Sequence, residues 1–181
     1  MFKHIDKHQL DLILNSCLNS TSTWCVAGGY VRDMVAGLTP KDCDVLVVDK
    51  TITNHTEAFA LACEISDYIS RNGLGSSEIF QAYGCSSNED DFSKRHWACI
   101  KIELSNSIPI DILIETSSTL SEAVSHFDCN LNQWIIINDG WETPMYMGEE
   151  SHKELHFLKP VRQVRIDKMT KFYTEHIVTN K

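Results

Sequence analysis

A glycine pair followed by two closely spaced aspartates most constrains the fold of this chain. Gly28 and Gly29 come after an apolar stretch, residues 23–27, whose composition predicts a short strand. Glycine permits a tight turn and the close approach of a ligand to the backbone, and residues 30–36 are typical of a helix that stops at Gly37. The chain is therefore expected to pass from a strand through a tight turn into a short helix.

The two aspartates, Asp42 and Asp44, border the next predicted strand. Residues 45–48 are all apolar, which is typical of a buried strand. Successive side chains of a strand point to opposite faces, so residues two positions apart project to the same side. We therefore predict that the two carboxylates bind one cation together.

The order of these parts also predicts a phosphate site. Backbone N–H groups at the start of a helix can bind phosphate, and Mg²⁺ prefers carboxylate, water and phosphate oxygens. A triphosphate held at the turn of Gly28 and Gly29 is expected to place its metal-bound oxygens beside Asp42 and Asp44.

A third carboxylate is expected from a strand at residues 108–115. Its isoleucines share one face, while Asp111 and Glu115 share the other. An acid among so many isoleucines costs free energy unless it is paired or coordinates an ion. Residues 97–104 are predicted to form the antiparallel partner of this strand, and Asp111 becomes the third candidate metal ligand.

Taken together, these motifs resemble those of a known enzyme family. The pattern Gly-Gly-x-Val-Arg-Asp, a spacer ending in glycine, and then Asp-x-Asp runs from Gly28 to Asp44, with Asp111 downstream. It resembles the head domain of the class II tRNA nucleotidyltransferase and poly(A) polymerase family, within the polymerase β-like nucleotidyltransferase superfamily. The family's later stretch Arg-Asp-Phe-Thr-Ile-Asn-Ala is matched at Asp128 and Asn132, whereas Phe127 replaces the leading arginine.

The resemblance implies a fold, a reaction and a set of ligands. The fold would be α+β, with a mixed β-sheet flanked by helices, and Asp42, Asp44 and Asp111 would hold two Mg²⁺ ions. The reaction would transfer a nucleoside monophosphate from ATP or CTP to an RNA 3′ end, with tRNA as the leading acceptor, and release pyrophosphate. The residues expected near the nucleotide are Gly28, Gly29, Arg32, Lys41, Asp128 and Asn132.

Departures from the family pattern keep other functions open. The family's base-reading element, Glu-Asp-x-x-Arg, is only approximated by Asp167 and Lys171. The acceptor could instead be a protein side chain or a small molecule, or the chain could bind a nucleotide without catalysis. A series of cations near the C-terminus is either a solvated helix face or a source of contacts to a triphosphate or an RNA end. Its members are Lys159, Arg162, Arg165, Lys168 and Lys171.

Composition predicts a compact cytoplasmic protein. The chain has 181 residues, 43% of them hydrophobic, which favours one head domain over residues 1–150 and a helical appendage over residues 151–181. Seven cysteines without a Cys-x-x-Cys pair predict reduced, mostly buried thiols. The net charge of −9 argues against extensive nonspecific binding to nucleic acid, although it permits a local basic groove. No secretory signal or membrane span is expected.

The remaining segments predict the scaffold. Helices are expected at residues 6–19 and 56–71, a strand at 79–83, and a hairpin formed by 134–137 and 143–147.

Two further segments can be interpreted either as ordinary surface or as functional elements. Residues 86–96 are polar and are expected to form a surface loop, with a lid as the alternative. His152 and His156 have a spacing that would suit zinc on a helix, but without a third ligand they are expected to be surface residues.

Overall fold

The computed structural model describes residues 4–81, 94–137 and 143–179. Within these residues the strands are β1 (Ser22–Ala27), β2 (Cys43–Asp49), β3 (Gly75–Gln81), β4 (His96–Leu104), β5 (Ile110–Glu115), β6 (Trp134–Ile137) and β7 (Met145–Tyr146). The α-helices are α1 (Lys7–Cys17), α2 (Gly29–Val35), α3 (His55–Arg71), α4 (Leu120–Ser125) and α5 (Gln163–Tyr173), with a 3-10 turn at Asn130–Asn132 and a π-helical turn at Thr174–Val178.

The strands form one mixed sheet in the order β3-β4-β5-β2-β1-β6-β7. β2 and β5 run parallel at its centre, and the other neighbouring strands are antiparallel. The predicted hairpin of β4 and β5 is confirmed, and so is the pairing of β6 with β7. The α+β class and the mixed sheet flanked by helices are therefore confirmed.

Two long helices cover one face of the sheet and explain its isoleucine-rich strand. The alternate residues Ile110, Ile112 and Ile114 are fully buried with apolar side chains of α1 and α3. Both helices begin at side-chain caps, because Asp6 accepts a hydrogen bond from the backbone of Gln9 and Asn54 accepts one from Glu57. With this face closed, the alternate residues of β5 point to the opposite face.

The opposite face carries a smaller apolar core under α4. Leu46 and Val48 of β2 pack there with Ala123 and Val124 of α4. Leu113 of β5 is partly buried against the same group. This core ends before the N-terminal ends of β2 and β5, which leaves that end of the sheet open for a polar site.

The C-terminal helix packs on the head through its own small core. Met169 of α5 is fully buried and lies in one cluster with Cys129 and Leu131. Val164 of the same helix is 79% exposed. The division into residues 1–150 and 151–181 stays a prediction.

Further sequence-based predictions concern thiols, loops and membrane spans. The six cysteines within the described residues are free thiols, and Cys25, Cys43, Cys99 and Cys129 are buried. Cys85, the turn at residues 138–140 and most of the predicted lid lie outside the described residues. In the described parts of the chain, every helix is too short or too polar to cross a bilayer.

Candidate nucleotide and metal site

Two of the three predicted metal ligands are direct neighbours in the sheet. Asp44 of β2 lies opposite Asp111 of β5 in the parallel register, so the two side chains project from the same face of adjacent strands. Neighbouring strands are about 4.8 Å apart, which brings two carboxylates within strong electrostatic range. Asp42 precedes β2 and is exposed.

The glycine turn lies directly against Asp44. Gly28 has a φ of +73°, a backbone conformation that favours glycine, and its N–H donates to the carbonyl oxygen of Trp134 at 3.0 Å. A Cβ atom at Gly28 would lie 3.4 Å from Oδ2 of Asp44. The turn therefore needs glycine for its conformation, and the absence of a side chain leaves the space beside the carboxylate open.

A cavity of about 290 Å³ extends from this turn. Gly28, Gly29 and Asp44 border it, and Leu46 and Leu113 contribute the apolar part of its wall. The other lining residues are polar or aromatic: Arg95, Phe127, Asp128, Asn132, Lys159 and Arg165. A glycine turn, two carboxylates and three cations therefore face one space, which we call the nucleotide cavity.

The pKa values of Asp44 and Asp111, at the N-terminal ends of β2 and β5, are both raised. The pKa of Asp44 is raised to about 6, first by burial and then by the charges of Asp42 and Asp111, against the opposing effect of Arg165 and Arg95. The pKa of Asp111 is also raised, first by burial and then by Asp42, although Lys101 lowers it. These carboxylates therefore repel one another and gain from a cation placed between them.

The donor set fits a hard cation that substrate oxygens complete. Among residues 4–81, 94–137 and 143–179, no three His, Cys, Asp or Glu side chains form a ready-made metal cluster. Mg²⁺ is commonly bound by one or two carboxylates together with waters and substrate phosphates. Asp44 and Asp111, with Asp42 nearby, match that mode better than a cage made only of protein ligands.

Asp128 and Asn132 border the nucleotide cavity and are tied into one hydrogen-bonded chain. Arg165 forms an ion pair with Asp128, and Nδ2 of Asn132 donates to Oδ1 of Asp128 at 3.0 Å. Burial raises the pKa of Asp128, but the hydrogen bond and charge of Arg165 outweigh it and leave that pKa lowered. Their location is compatible with the expected contact to a nucleotide, and their bonds also brace α5 against the head.

Arg32 and Lys41 lie outside the lining of this cavity. Nη1 of Arg32 donates to Oδ1 of Asn132 at 2.7 Å, and its guanidinium also pairs with Asp33 at 2.5 Å. Arg32 is buried, so it reaches the cavity through Asn132. Lys41 is exposed. Asp42 and Asp111 likewise do not line the cavity, and they act on it through their charge on Asp44.

Sequence patterns did not reveal two of the cations near the site, Arg95 and Lys101. Arg95 lies 5.7 Å from the ring centroid of Phe127, the residue that replaces the family's arginine, and Lys101 lies opposite Asp111 in the register of β4 and β5. The register of that hairpin could have placed Lys101 beside Asp111. No local sequence pattern marks Arg95 as a site residue, because only the folded sheet brings it to the cavity.

The C-terminal cations divide into two groups. Arg165 and Lys159 line the nucleotide cavity, and Nζ of Lys159 donates to the carbonyl oxygen of His126 at 3.0 Å. The others are exposed, so both interpretations of the series apply to part of it. The exposed members are Arg162, Lys168 and Lys171.

The histidine pair does not have helical geometry. Residues 152–156 contain no helix, and His156 contacts Glu154 at 3.2 Å. His152 is exposed, as expected, yet its ring also packs at 5.4 Å from that of Trp134. The zinc interpretation therefore loses its geometric basis.

Comparison with solved structures supports the fold. A tRNA-processing enzyme in its second apo form aligns over 90% of this chain and 40% of its own, with 16% identity and a TM-score of 0.50. A CCA-adding enzyme in its first apo form aligns over 75% of this chain and 28% of its own, with 22% identity and a TM-score of 0.47. The Thermotoga maritima CCA-adding enzyme in complex with tRNA aligns over 73% and 25%, with 20% identity and a TM-score of 0.45.

Only the first of these likenesses bears on the fold, and it bears on nothing further. The chain spans between a quarter and two-fifths of the length of these three enzymes. No family model matches the sequence, and no curated protein matches it either. The head-like fold that the motifs predict is confirmed, and the chemistry has to be argued from the site.

Proposed function

We propose that this chain is a nucleotidyltransferase that moves a nucleoside monophosphate from ATP or CTP to the 3′ end of an RNA, with tRNA as the first acceptor to test. One observation carries the proposal: Asp44 and Asp111 lie side by side, next to a glycine turn and a cavity lined by cations. Carboxylates for a cation and cations for a triphosphate are the two requirements of phosphoryl-type transfer.

The nucleotide cavity supplies the contacts for the triphosphate. Gly28 and Gly29 allow its phosphates to approach the backbone, and Arg95, Lys159 and Arg165 offset their negative charge. Arg95 and Arg165 stand in for the arginine that Phe127 replaces. Asp128 and Asn132 border the remaining space, where the sugar would lie.

Asp42, Asp44 and Asp111 would hold Mg²⁺. When bound, Mg²⁺ would lower the pKa of the acceptor hydroxyl and neutralise charge on the phosphates. The fixed register of β2 and β5 keeps the carboxylates of Asp44 and Asp111 side by side. Among these acids, we assign to Asp111 the role of accepting the proton of the RNA 3′ hydroxyl.

The reaction makes one bond and breaks one. The 3′ oxygen of the acceptor forms a bond to the α-phosphorus, and the bond from that phosphorus to the oxygen bridging to the β-phosphate breaks. The electron pair leaves with pyrophosphate, and the hydroxyl proton goes to Asp111.

We also propose a cytoplasmic location. The cysteines within the described residues are free thiols, four of them buried, which fits a reducing compartment.

The test is a nucleotide-by-acceptor screen. Purified protein is incubated with Mg²⁺, each α-labelled nucleoside triphosphate in turn, and tRNA lacking its terminal nucleotides. Extension that Asp44→Asn and Asp111→Asn abolish supports the proposal, and Asp67→Asn on the exposed side of α3 is the matched control. Unextended RNA with all four nucleotides would contradict RNA as the acceptor.

A second candidate keeps the chemistry and changes the acceptor to a protein side chain or a small molecule. The net charge of −9 favours it, because an acidic surface repels a long phosphate backbone. Mass spectrometry that detects a one-nucleotide addition on a protein or metabolite would establish it. A chain that binds triphosphate in calorimetry yet labels no acceptor would be a non-catalytic head.

A further inference from the structure

A second, larger cavity lies behind the nucleotide cavity. Its volume is about 490 Å³, which is within the range of small-molecule sites. It is bordered by α2, by the segment from Leu131 to Trp134, by the loop after β7 and by the C-terminal helical turns. Its chemically distinctive residues are Arg32, Trp134, His152, Lys153, Phe172 and His176. We call it the aromatic cavity.

Aromatic rings from two parts of the chain border this space. The rings of Trp134 and His152 lie 5.4 Å apart at an interplanar angle of 72°, and those of Phe172 and His176 lie 5.1 Å apart at 51°. Nucleobases bind proteins by stacking on such rings, at about 1–3 kcal/mol per base. The walls therefore offer flat apolar surfaces with polar ring edges.

The aromatic cavity is lined by positive side chains, although the chain as a whole is negative. The net charge is −9, yet the described residues that line this cavity include no aspartate or glutamate. Arg32 lies 4.4 Å from the ring centroid of Phe172, but its guanidinium is already paired with Asp33 and Asn132. Lys153 is exposed and is the cation best placed to meet an incoming anion.

A short chain of hydrogen bonds separates the two cavities. Arg32 lines the aromatic cavity and donates to Asn132, and Asn132 lines the nucleotide cavity and donates to Asp128. Ligands in the two cavities would therefore be separated only by the side chains of Arg32 and Asn132. A strand whose 3′ end reaches the nucleotide cavity has the aromatic cavity on the other side of Asn132 and Arg32, as a space for an adjacent base.

We propose that the aromatic cavity binds an unpaired nucleotide of the RNA strand whose 3′ hydroxyl is extended. The base stacks on Trp134 and Phe172, and a phosphate contacts Lys153. The identity of the strand rests on the proposed function, whereas the binding of a single-stranded nucleotide does not. A duplex fits poorly, because its bases are stacked and unavailable to these rings.

The first experiment measures binding without any triphosphate. A fluorescein-labelled single-stranded oligoribonucleotide is titrated with the full chain, and its anisotropy is followed at several salt concentrations. Lys153→Gln should weaken binding about 3- to 10-fold and reduce the salt slope by about 0.7, because one phosphate contact is lost. Lys50→Gln, at the exposed turn after β2, should change affinity less than about 2-fold.

The second experiment locates the base. An oligoribonucleotide that carries 4-thiouridine is photocrosslinked to the chain, and the attached peptides are identified by mass spectrometry. Crosslinks are expected on peptides that contain Trp134, His152 or Phe172. Crosslinks confined to other peptides, equal losses with Lys153→Gln and Lys50→Gln, or equal binding of a duplex would each overturn the inference.

The two proposals can fail separately. RNA extension by a chain that forms no crosslink in the aromatic cavity would keep the enzyme and remove this site. Crosslinking in the cavity by a chain that extends no RNA would keep the site and remove the reaction. A peptide that binds the cavity while single-stranded RNA does not would replace RNA by a protein partner.

Discussion

Asp44 and Asp128 border the same cavity, but the fold shifts their pKa values in opposite directions. Burial and the nearby Asp42 and Asp111 raise the pKa of Asp44 to about 6. Burial acts on Asp128 as well, yet Arg165 and Asn132 bond to it and leave its pKa lowered. The difference lies in the partners that the chain itself provides.

This contrast separates structural acids from acids that await a ligand. Asp128 has its counter-charge within the fold, so it braces α5 against the head. Within the described residues, Asp44 and Asp111 have neither a hydrogen bond nor an ion pair. Partly buried carboxylates that lie beside other carboxylates and have no bonded counter-charge are typical of sites where a cation completes the charge balance.

The largest expected effect is on catalysis. Asp44→Asn keeps the shape of the side chain but removes its charge, and we expect it to lower nucleotide transfer by about 100- to 1,000-fold. Asp128→Asn should lower transfer by less, because Asp128 acts through the hydrogen-bonded network. Rates of label incorporation into RNA measure both effects, and wild-type activity of Asp44→Asn would contradict a role for this carboxylate in the reaction.

The same two substitutions should change stability in opposite directions. At pH 7 we expect Asp44→Asn to raise the free energy of unfolding by about 1–3 kcal/mol, because a buried, repelled charge is removed. Asp128→Asn should lower it by about 1–2 kcal/mol, because the partly exposed Arg165 loses its partner. Urea unfolding without divalent cations is the measurement, and effects of the same sign would contradict the distinction.

The pH dependence of these effects follows from the pKa shifts. The folded pKa of Asp44, about 6, lies above its ordinary value of 3.8, so the folded state binds more protons between these pH values. Its ionisation therefore removes stability as pH rises through this window. The lowered pKa of Asp128 has the opposite sign, because its contribution is present above the unfolded pKa and is lost as pH falls through the folded pKa.

Two glycines provide a smaller and sharply matched comparison. Gly28 has a φ of +73° and Gly37 a φ of +71°, so alanine at either position should cost about 1–2 kcal/mol of stability. Only at Gly28 does the added Cβ approach Asp44, whereas at Gly37 nothing lies within 4 Å. Calorimetry with a nonhydrolysable triphosphate should thus show weaker binding for Gly28→Ala alone, and equal affinity in both variants would argue against phosphates at this turn.

The smallest effect is expected at the cations of α5. Arg165→Gln should weaken triphosphate binding about 3- to 10-fold, since the guanidinium borders the nucleotide cavity. Arg162→Gln removes the same charge from an exposed position one turn earlier and should change affinity less than about 2-fold. Similar losses in both variants would indicate a general charge effect in place of a specific contact.

Local patterns were sufficient for the scaffold and for the acids. The alternation in β5 assigned Asp111 to the face opposite the isoleucines, and the apolar run of β2 placed Asp44 on a buried strand. What the strand period could not supply was the parallel register that puts Asp44 opposite Asp111. That register depends on which strands are neighbours, and neighbours are a property of the whole sheet.

The positions of Arg32 and Arg95 could not be predicted in the same way. Arg32, expected near the phosphates from the motif, is buried against Asn132 and Phe172. Arg95 comes from a distant part of the chain and was not predicted at all. A long, flexible cationic side chain can reach one of several spaces, and only packing decides which one it enters.

The central claim is that Asp44 and Asp111 share a cation that the fold itself does not provide. Carbon-13 NMR of the aspartate carboxyl groups, recorded across pH with and without Mg²⁺, tests it most directly. We predict that Asp44 titrates near pH 6 without Mg²⁺ and that saturating Mg²⁺ lowers its pKa, while the pKa of Asp128 stays low in both conditions. An Asp44 that titrates near its ordinary value of 3.8, or that does not respond to Mg²⁺, would contradict the account.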